Sequence, residues 1–150
     1  MNSFPYVAFG LGSNIGDGEV QLHCAVEKIR SSPLLCGATL RCSEIYRSEA
    51  LLPKDAPKAW DMPFVNQVVV VHMARPMDEG AAYALLDLCK EIERDLGRVP
   101  RGHWGPREID VDIIMIEGFT LHSDVLTIPH PQAHLRDFVM IPLRALGYDL

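Results

Sequence analysis

Residues 103–115, HWGPREIDVDIIM, place two acids inside an apolar run, and their alternation predicts a β-strand. Side chains two apart on a strand face the same side, so Asp110 and Asp112 would project together while Ile109, Val111 and Ile113 pack into a core. The acids could belong to a solvated sheet face, where aspartate is tolerated but disfavoured. They could equally form a magnesium site, because hard divalent ions take oxygen ligands. Spacing alone leaves both interpretations open.

The loop before this strand is basic. It holds Arg98, Arg101, His103 and Arg107 without an intervening acid, in a chain whose formal net charge is −6. A solvated basic loop is the ordinary explanation of such a run. However, a basic loop that leads onto a carboxylate pair also suits a metal–polyphosphate ligand, since arginine forks bind the phosphate oxygens that the metal leaves free. The combination favours a nucleotide phosphate as the ligand.

The remaining sequence patterns predict a regular order of elements. Strands are predicted over residues 4–12, 34–50, 64–73 and 108–118. Asp17 is placed to cap the first helix and Asp78 the second, and a third helix is predicted from about Asp137. The apolar positions of the two main helices are Leu22, Ala25, Val26 and Ile29 in the first, and Ala81, Leu85, Leu88, Ile92 and Leu96 in the second, which Gly97 ends.

The order β-α-β-β-α-β predicts an α+β, ferredoxin-like fold with a C-terminal extension, in a single domain over residues 1–150. Both helices would pack on one face of an antiparallel sheet and leave the other face open for a site. Residues 51–63 and 98–107 are predicted to be loops, and the first is long enough to suggest a functional or mobile segment.

Composition narrows the class of protein. The hydrophobic fraction is 48% and the charged fraction 23%, ordinary values for a globular domain. The acidic balance argues against a nucleic-acid partner, and no apolar run approaches the ~20 residues of a membrane span. The N-terminal residues do not resemble a signal peptide. Cys24, Cys36, Cys42 and Cys89 form no CxxC pair and are predicted to be buried free thiols, which favours the cytoplasm.

Two further motifs are ambiguous. GLGSNIGD spaces Gly10, Gly12 and Gly16 unlike a dinucleotide fingerprint, and the chain has no Walker sequence, so a tight strand-to-helix turn is predicted. His130 and His134 are four apart, but Pro131 disfavours the continuous helix that a zinc pair would need. A single histidine that donates to a phosphate fits the metal–phosphate interpretation better.

Three segments together, AFGLGSNIGD, WGPREIDVDIIM and IPHPQAHLRDFVMIPL, resemble the 6-hydroxymethyl-7,8-dihydropterin pyrophosphokinase family of folate biosynthesis. FVNQVVVV and IERDLGR match in order and spacing, and the resemblance spans essentially the whole chain. It implies a ferredoxin-like fold and transfer of pyrophosphate from ATP to the pterin hydroxyl by in-line attack on the β-phosphorus, with AMP as the second product. The ligands that it implies are ATP, the pterin and two Mg²⁺ ions, and we expect the chain to be a monomer.

The resemblance also implies roles for individual residues. Asp110 and Asp112 would hold both metal ions, and Arg98 and Arg107 would complete the catalytic set by binding phosphate oxygens. The implied ATP-binding residues are Glu93, Arg98, Arg101, Trp104, Arg107, Ile113, His130 and Arg136. The implied pterin-binding residues are Ser48, Glu49, Ala50, Phe64, Asn66 and Phe138, with the two phenylalanines sandwiching the ring. Loops 49–63 and 98–107 would close over the substrates.

The chain departs from the family pattern at Ser48-Glu49-Ala50, where many relatives read Thr-Pro-Pro, and at His103, a position often held by arginine. Two other functions remain open. A metal-dependent phosphohydrolase could also use a DxD strand, and a non-catalytic paralogue could bind pterin or nucleotide without turnover.

Overall fold

The computed structural model describes residues 4–14, 17–49, 54–55, 58, 63–97 and 109–150. The main sheet contains β1 (Tyr6–Ser13), β2 (Thr39–Cys42), β3 (Tyr46–Ser48), β4 (Phe64–His72) and β5 (Asp110–Ile116), and β6 (Leu121–His122) pairs with β7 (Thr127–Ile128) in a small hairpin. The helices are α1 (Gly18–Arg30), α2 (Glu79–Asp95) and α3 (Asp137–Ala145), with short 3₁₀ turns at Pro33–Leu35 and Ala133–Leu135.

The main sheet has the order β2-β4-β1-β5, with β3 beside β2 on the same edge of β4, and every pair is antiparallel. With β2 and β3 taken together as one broken strand, this is the predicted βαββαβ arrangement. The ferredoxin-like α+β fold is therefore confirmed.

The single strand predicted over residues 34–50 is wrong in its extent. It begins with a 3₁₀ turn and is then interrupted between β2 and β3. At the interruption, side-chain hydrogen bonds take the place of regular backbone pairing. The Ser43 Oγ accepts from the Val68 backbone N–H at 2.9 Å, and Gln67 Nε2 donates to the Ser43 carbonyl at 2.8 Å. These side-chain bonds satisfy β4 where the edge strand bends, and alternation of residue types does not reveal them.

Helix α1 begins and packs as its sequence predicts. The Asp17 side chain accepts from the Val20 N–H at 3.2 Å, and Leu22, Ala25, Val26 and Ile29 are buried. Gly18 is required by close approach, because a Cβ there would lie 2.5 Å from Val65 Cγ2 on β4. The glycine therefore lets the first turn of α1 lie directly on the sheet.

Helix α2 is capped by Asp78, whose Oδ1 accepts from the Ala81 N–H at 2.8 Å, and Gly97 follows it with φ +86°. Its buried stripe includes Leu85, Leu88 and Ile92 as predicted, but Ala82 rather than Ala81 is fully buried.

The sheet has a core on each face. On one face, side chains of α1 and α2 form a core with Phe9, Val69 and Val111. On the other face, side chains of α3 form a smaller core with Ala8, Val70 and Ile114. The face that was expected to be open is therefore partly covered by α3, and only the remainder is available for a site.

Two other sequence predictions have mixed outcomes. Cys89 is buried as predicted, whereas Cys36 and Cys42 are exposed, and all four cysteines are free thiols. Among the described residues, no helix is long and apolar enough to cross a membrane. Most of the predicted loop 51–63 and all of the predicted loop 98–107 lie outside the described residues.

Candidate active site

The centre of the site is a row of residues across three neighbouring strands. Gly12 on β1 lies opposite Asn66 on β4 and opposite Asp110 on β5. In the next row Gly10 separates Val68 from Asp112 in the same way. Because both β1 positions lack a side chain, the sheet surface forms a depression. The Asn66 amide lies on one side of this depression, and the Asp110 and Asp112 carboxylates lie on the other.

A cavity opens over this glycine floor, beside α3. Its empty space, which includes open solvent at the mouth, is about 810 Å³. Predicted site residues from four separate segments meet there, namely Ser48, Glu49, Phe64, Asn66, Asp110, Asp112, His130, Arg136 and Phe138. The structure therefore gathers most of the proposed pterin residues and both proposed metal ligands in one cavity.

The carboxylate pair is electrostatically strained in the absence of a cation. Burial, followed by the Asp110 carboxylate and Glu93, raises the pKa of Asp112 from its usual 3.8 to about 7. A buried carboxylate beside a second carboxylate forms a donor set whose repulsion a hard divalent ion relieves. Asp110 and Asp112 therefore fit the magnesium ions implied by the sequence.

Within the described residues, no group of three or more His, Cys, Asp or Glu side chains is arranged to hold a metal. Mg²⁺ usually keeps water molecules and takes substrate phosphate oxygens beside one or two carboxylates. The two aspartates are thus sufficient only if a ligand completes the coordination shell.

His130 presents a defined donor to the cavity. Its Nδ1 accepts from the Gln132 backbone N–H at 3.2 Å, which leaves the proton of the neutral ring on Nε2. Burial and the nearby Arg136 guanidinium lower the pKa of His130. The neutral Nε2–H and the charged Arg136 both suit an anionic ligand. His134 lies exposed on the 3₁₀ turn and does not line the cavity, so the structure does not support a zinc pair with His130.

Aromatic side chains enclose the other end of the cavity. Phe64 is the first residue of β4, and Phe138 lies in the first turn of α3; both side chains line the cavity. The Arg136 guanidinium lies 5.6 Å from the centre of the Phe138 ring, a cation–π distance that holds both side chains at the rim.

Two proposed nucleotide residues lie elsewhere. Ile113 is buried in the core under α1 and α2, and Ile114 lines the cavity instead. Any contact of Ile113 with a nucleotide would therefore come from its backbone. Glu93 is 4% exposed, and its Oε2 accepts from the Val111 N–H at 2.9 Å, so it closes the outer edge of β5.

Five proposed site residues lie outside the described part of the chain: Arg98, Arg101, Trp104, Arg107 and Ala50. Their roles remain predictions.

The cavity residues that the sequence analysis missed are Gly10, Leu11, Gly12, Gln67, Ile114 and Val139. Gly10 and Gly12 lie in the strand predicted over residues 4–12 and belong to β1, but no role in a binding cavity was predicted for them. Their spacing of two on a strand was the available signal, because it places both on one face.

The fold and cavity define a class: a ferredoxin-like α+β protein whose sheet carries a carboxylate pair beside an amide- and aromatic-lined compartment. The sequence profile of the family described as 7,8-dihydro-6-hydroxymethylpterin-pyrophosphokinase matches residues 8–147. The chain belongs to this pyrophosphokinase family, and the resemblance seen in its sequence is confirmed.

Individual relatives agree with this assignment. The chain is 36% identical to a 2-amino-4-hydroxy-6-hydroxymethyldihydropteridine pyrophosphokinase of Methylorubrum extorquens, over 94% of this chain and 82% of the relative. It is 34% identical to a folate synthesis bifunctional protein of Chlamydia trachomatis, over 97% of this chain but only 31% of the relative. The chain thus spans about a third of that bifunctional relative.

A solved structure described as HPPK-DHPS in complex with substrates shares the fold, with a TM-score of 0.64 over 95% of this chain and 40% of the other. Sequence identity in that match is 13%, so this likeness supports the architecture alone.

Proposed function

We propose that this protein transfers pyrophosphate from ATP to the hydroxyl of 6-hydroxymethyl-7,8-dihydropterin and releases AMP. The observation that carries the proposal is the row Asn66–Gly12–Asp110, in which an amide suited to a heterocycle and a carboxylate suited to a metal lie on either side of an open glycine. Family membership supports the same reaction.

The row also has a suitable span. Neighbouring strands are about 4.8 Å apart, so the backbones that carry Asn66 and Asp110 are separated by roughly 10 Å. A two-ring heterocycle held at Asn66 and Phe64 would extend across Gly12 and bring its one-carbon arm toward Asp110 and Asp112. The part of the cavity at Asn66 and Phe64 would then bind the pterin, and the part at Asp110 and Asp112 would bind the metal ions and the triphosphate.

Asp110 and Asp112 would hold two Mg²⁺ ions, which when bound would neutralise triphosphate charge and favour departure of AMP. His130 would donate its Nε2–H, and Arg136 its guanidinium, to phosphate oxygens. Arg98 and Arg107 are proposed to bind the charge that develops during transfer. Direct attack by the pterin hydroxyl requires no covalent intermediate with the protein, so positioning and electrostatics would supply most of the rate.

The test is an assay with ATP, Mg²⁺ and the hydroxymethyl dihydropterin that separates AMP from ADP and phosphate. We expect AMP and the pterin pyrophosphate in equal amounts. ADP or free phosphate instead would indicate a phosphohydrolase. Binding of the pterin by folded protein without any AMP would indicate a non-catalytic paralogue.

We also propose that the chain acts as a monomer in the cytoplasm with small molecules as its only substrates. Because some relatives are bifunctional proteins, the monomer is tested separately, by sedimentation of the purified chain with and without ATP and pterin.

A further inference from the structure

Asn66 has an amide orientation that its surroundings determine. Its Nδ2 donates to the Tyr46 carbonyl at 3.0 Å and to Ser48 Oγ at 2.8 Å, and the residue is 4% exposed. A backbone carbonyl can only accept, so the group that faces Tyr46 must be the NH₂ end of the amide. Both Nδ2 hydrogens are therefore used within the protein.

The acceptor end consequently points toward the glycine floor. The Cβ position of Gly12 lies 3.2 Å from Asn66 Oδ1, and Gly12 itself lines the cavity. A ligand above Gly12 therefore meets a carbonyl oxygen and not an NH₂ group. Rotating the amide by 180° would place Oδ1 against the Tyr46 carbonyl, and two acceptors in contact repel each other.

Ser48 holds this arrangement from the neighbouring strand. It pairs with Phe64, two residues before Asn66, so Ser48 and Asn66 are diagonal neighbours on the same sheet face. Ser48 is half-buried, and its hydroxyl is the second of the two acceptors that position the amide.

We propose that Ser48 is a positioning residue, which acts on the pterin through the Asn66 amide and makes the cavity floor a hydrogen-bond acceptor for a ring N–H or amino group of the ligand. This inference rests on the proposed function for the identity of the ligand. The orienting bond itself is a property of the ligand-free protein.

The first test is a double-mutant cycle on pterin affinity. Binding is followed by the fluorescence of the pterin in the presence of Mg²⁺ and a non-hydrolysable ATP analogue. Ser48→Ala should weaken pterin binding about fivefold, the effect of losing one ordinary hydrogen bond. Ser48→Thr, which keeps a hydroxyl and suits a strand, should stay within about twofold of the wild type. The KM for ATP should not change in either variant.

The cycle then separates the positioning role from the alternatives. In the Asn66→Ala background, Ser48→Ala should have no further effect, because the group through which Ser48 acts is gone. An equal loss in both backgrounds would show that Ser48 contacts the ligand itself. Parallel losses for pterin and ATP, together with a lower Tm, would show a merely structural role, and either result overturns the proposal. An unchanged pterin affinity in Ser48→Ala would also overturn it.

A second measurement needs no substrate. The side-chain NH₂ signals of Asn66 are followed by ¹⁵N NMR in the ligand-free protein. Ser48→Ala should increase the exchange of these hydrogens several-fold, and Ser48→Thr should restore the wild-type rate. Identical exchange in all three proteins would contradict the orienting bond. Failure of the wild type to bind pterin or release AMP would contradict the proposed function instead.

Discussion

At the scale of single residues, Gly12 decides what the cavity can hold. A Cβ at this position would lie 3.2 Å from Asn66 Oδ1 and 3.6 Å from Phe64 Cδ1. The first distance is tighter than ordinary contact, so either the amide or the new methyl group must move. Because Gly12 belongs to an ordinary strand, its role is to leave space and not to adopt an unusual backbone conformation.

We therefore expect Gly12→Ala to raise the KM for pterin about tenfold or more while the KM for ATP changes little. The methyl group would occupy the floor under the heterocycle and displace its hydrogen-bond acceptor. Steady-state kinetics with each substrate varied in turn measure both constants. A proportional rise in both KM values would show that the substitution distorts the whole sheet.

Asp112 makes the stability of the metal-free protein depend on pH. Its pKa is about 7 in the folded protein, against 3.8 for an ordinary aspartate. The folded state therefore binds this proton more tightly than the unfolded chain does. As the pH rises from about 4 to about 7, the free energy of unfolding falls, and the loss is complete above pH 7.

Asp112→Asn should remove this loss and abolish turnover. In EDTA, the variant should exceed the wild type in stability on the order of 1–3 kcal/mol at pH 8, and the difference should shrink as the pH falls toward 4. Thermal unfolding across this pH range measures the difference. Asp124→Asn, which removes an exposed charge in the β6–β7 hairpin, is the control. The same difference at every pH would refute the titration of Asp112.

At the scale of elements, two helices allow a matched test of close packing. Gly18 opens α1 after the cap Asp17, and Gly80 lies in the first turn of α2 after the cap Asp78. A Cβ at Gly18 would lie 2.5 Å from Val65 Cγ2, whereas a Cβ at Gly80 would meet its nearest neighbour at an ordinary 3.5 Å.

Gly18→Ala should destabilise the protein by about 1–3 kcal/mol, because α1 must move away from β4. Gly80→Ala should be neutral or stabilising by up to about 1 kcal/mol, because alanine is the better helix former. Chemical denaturation of both variants measures the contrast. Similar effects at the two positions would mean that the first turn of α1 tolerates a side chain.

The outer edge of β5 depends on Glu93. Its Oε2 accepts from the buried Val111 N–H, and Lys90 Nζ lies 3.7 Å from its Oε1. Glu93→Ala would leave the Val111 N–H without this acceptor, at a cost of about 1–3 kcal/mol. Hydrogen exchange of the Val111 amide should accelerate in Glu93→Ala but much less in Glu93→Gln, which keeps a side-chain oxygen. Equal exchange in the two variants would show that the bond does not protect the edge.

Sequence reasoning succeeded where a repeating pattern carries the information. Alternation placed Asp110 and Asp112 on one face, and the helical period found Leu22 and Ile29 on the buried face of α1. It failed at the break between β2 and β3, where Ser43 bonds to a strand far away in the sequence. Bonds of this kind depend on the register between strands, which no local pattern encodes.

The same limit applies to the site. Carboxylates, aromatic residues and histidine could be recognised by type, and the family resemblance supplied Ser48 and Asn66 as ligand residues. The bond between Ser48 and Asn66, and the glycine that separates Asn66 from Asp110, follow only from the pairing of β1, β3, β4 and β5. A sequence shows which residues are present, whereas register shows which of them meet.

At the scale of the whole molecule, the two faces of the sheet have different tasks. The face under α1 and α2 buries the larger apolar core, which includes Leu22, Leu85 and Ile92. The other face holds the smaller core under α3 and then opens into the cavity with its carboxylates and amide. Because alternate residues of each strand serve opposite faces, stability and activity should be separable by substitution.

Leu85→Ala and Asp110→Ala test this separation as a pair. Leu85 is 2% exposed on the α2 side, so its truncation should cost about 2–5 kcal/mol of stability. At a temperature where the variant remains folded, its kcat/KM should stay within about threefold of the wild type, since no cavity residue is altered. Asp110→Ala should reduce kcat at least a hundredfold, because it removes a proposed metal ligand.

The Tm of metal-free Asp110→Ala should equal or exceed that of the wild type, since burial raises the pKa of Asp112 most and the substitution relieves the next cause, repulsion by the Asp110 carboxylate. Thermal unfolding and kinetics on the same two preparations therefore give opposite patterns. If Leu85→Ala lost activity while still folded, the two faces would be mechanically coupled through the sheet. If Asp110→Ala lost stability instead of gaining it, the carboxylate pair would have a structural role in addition to the proposed metal site.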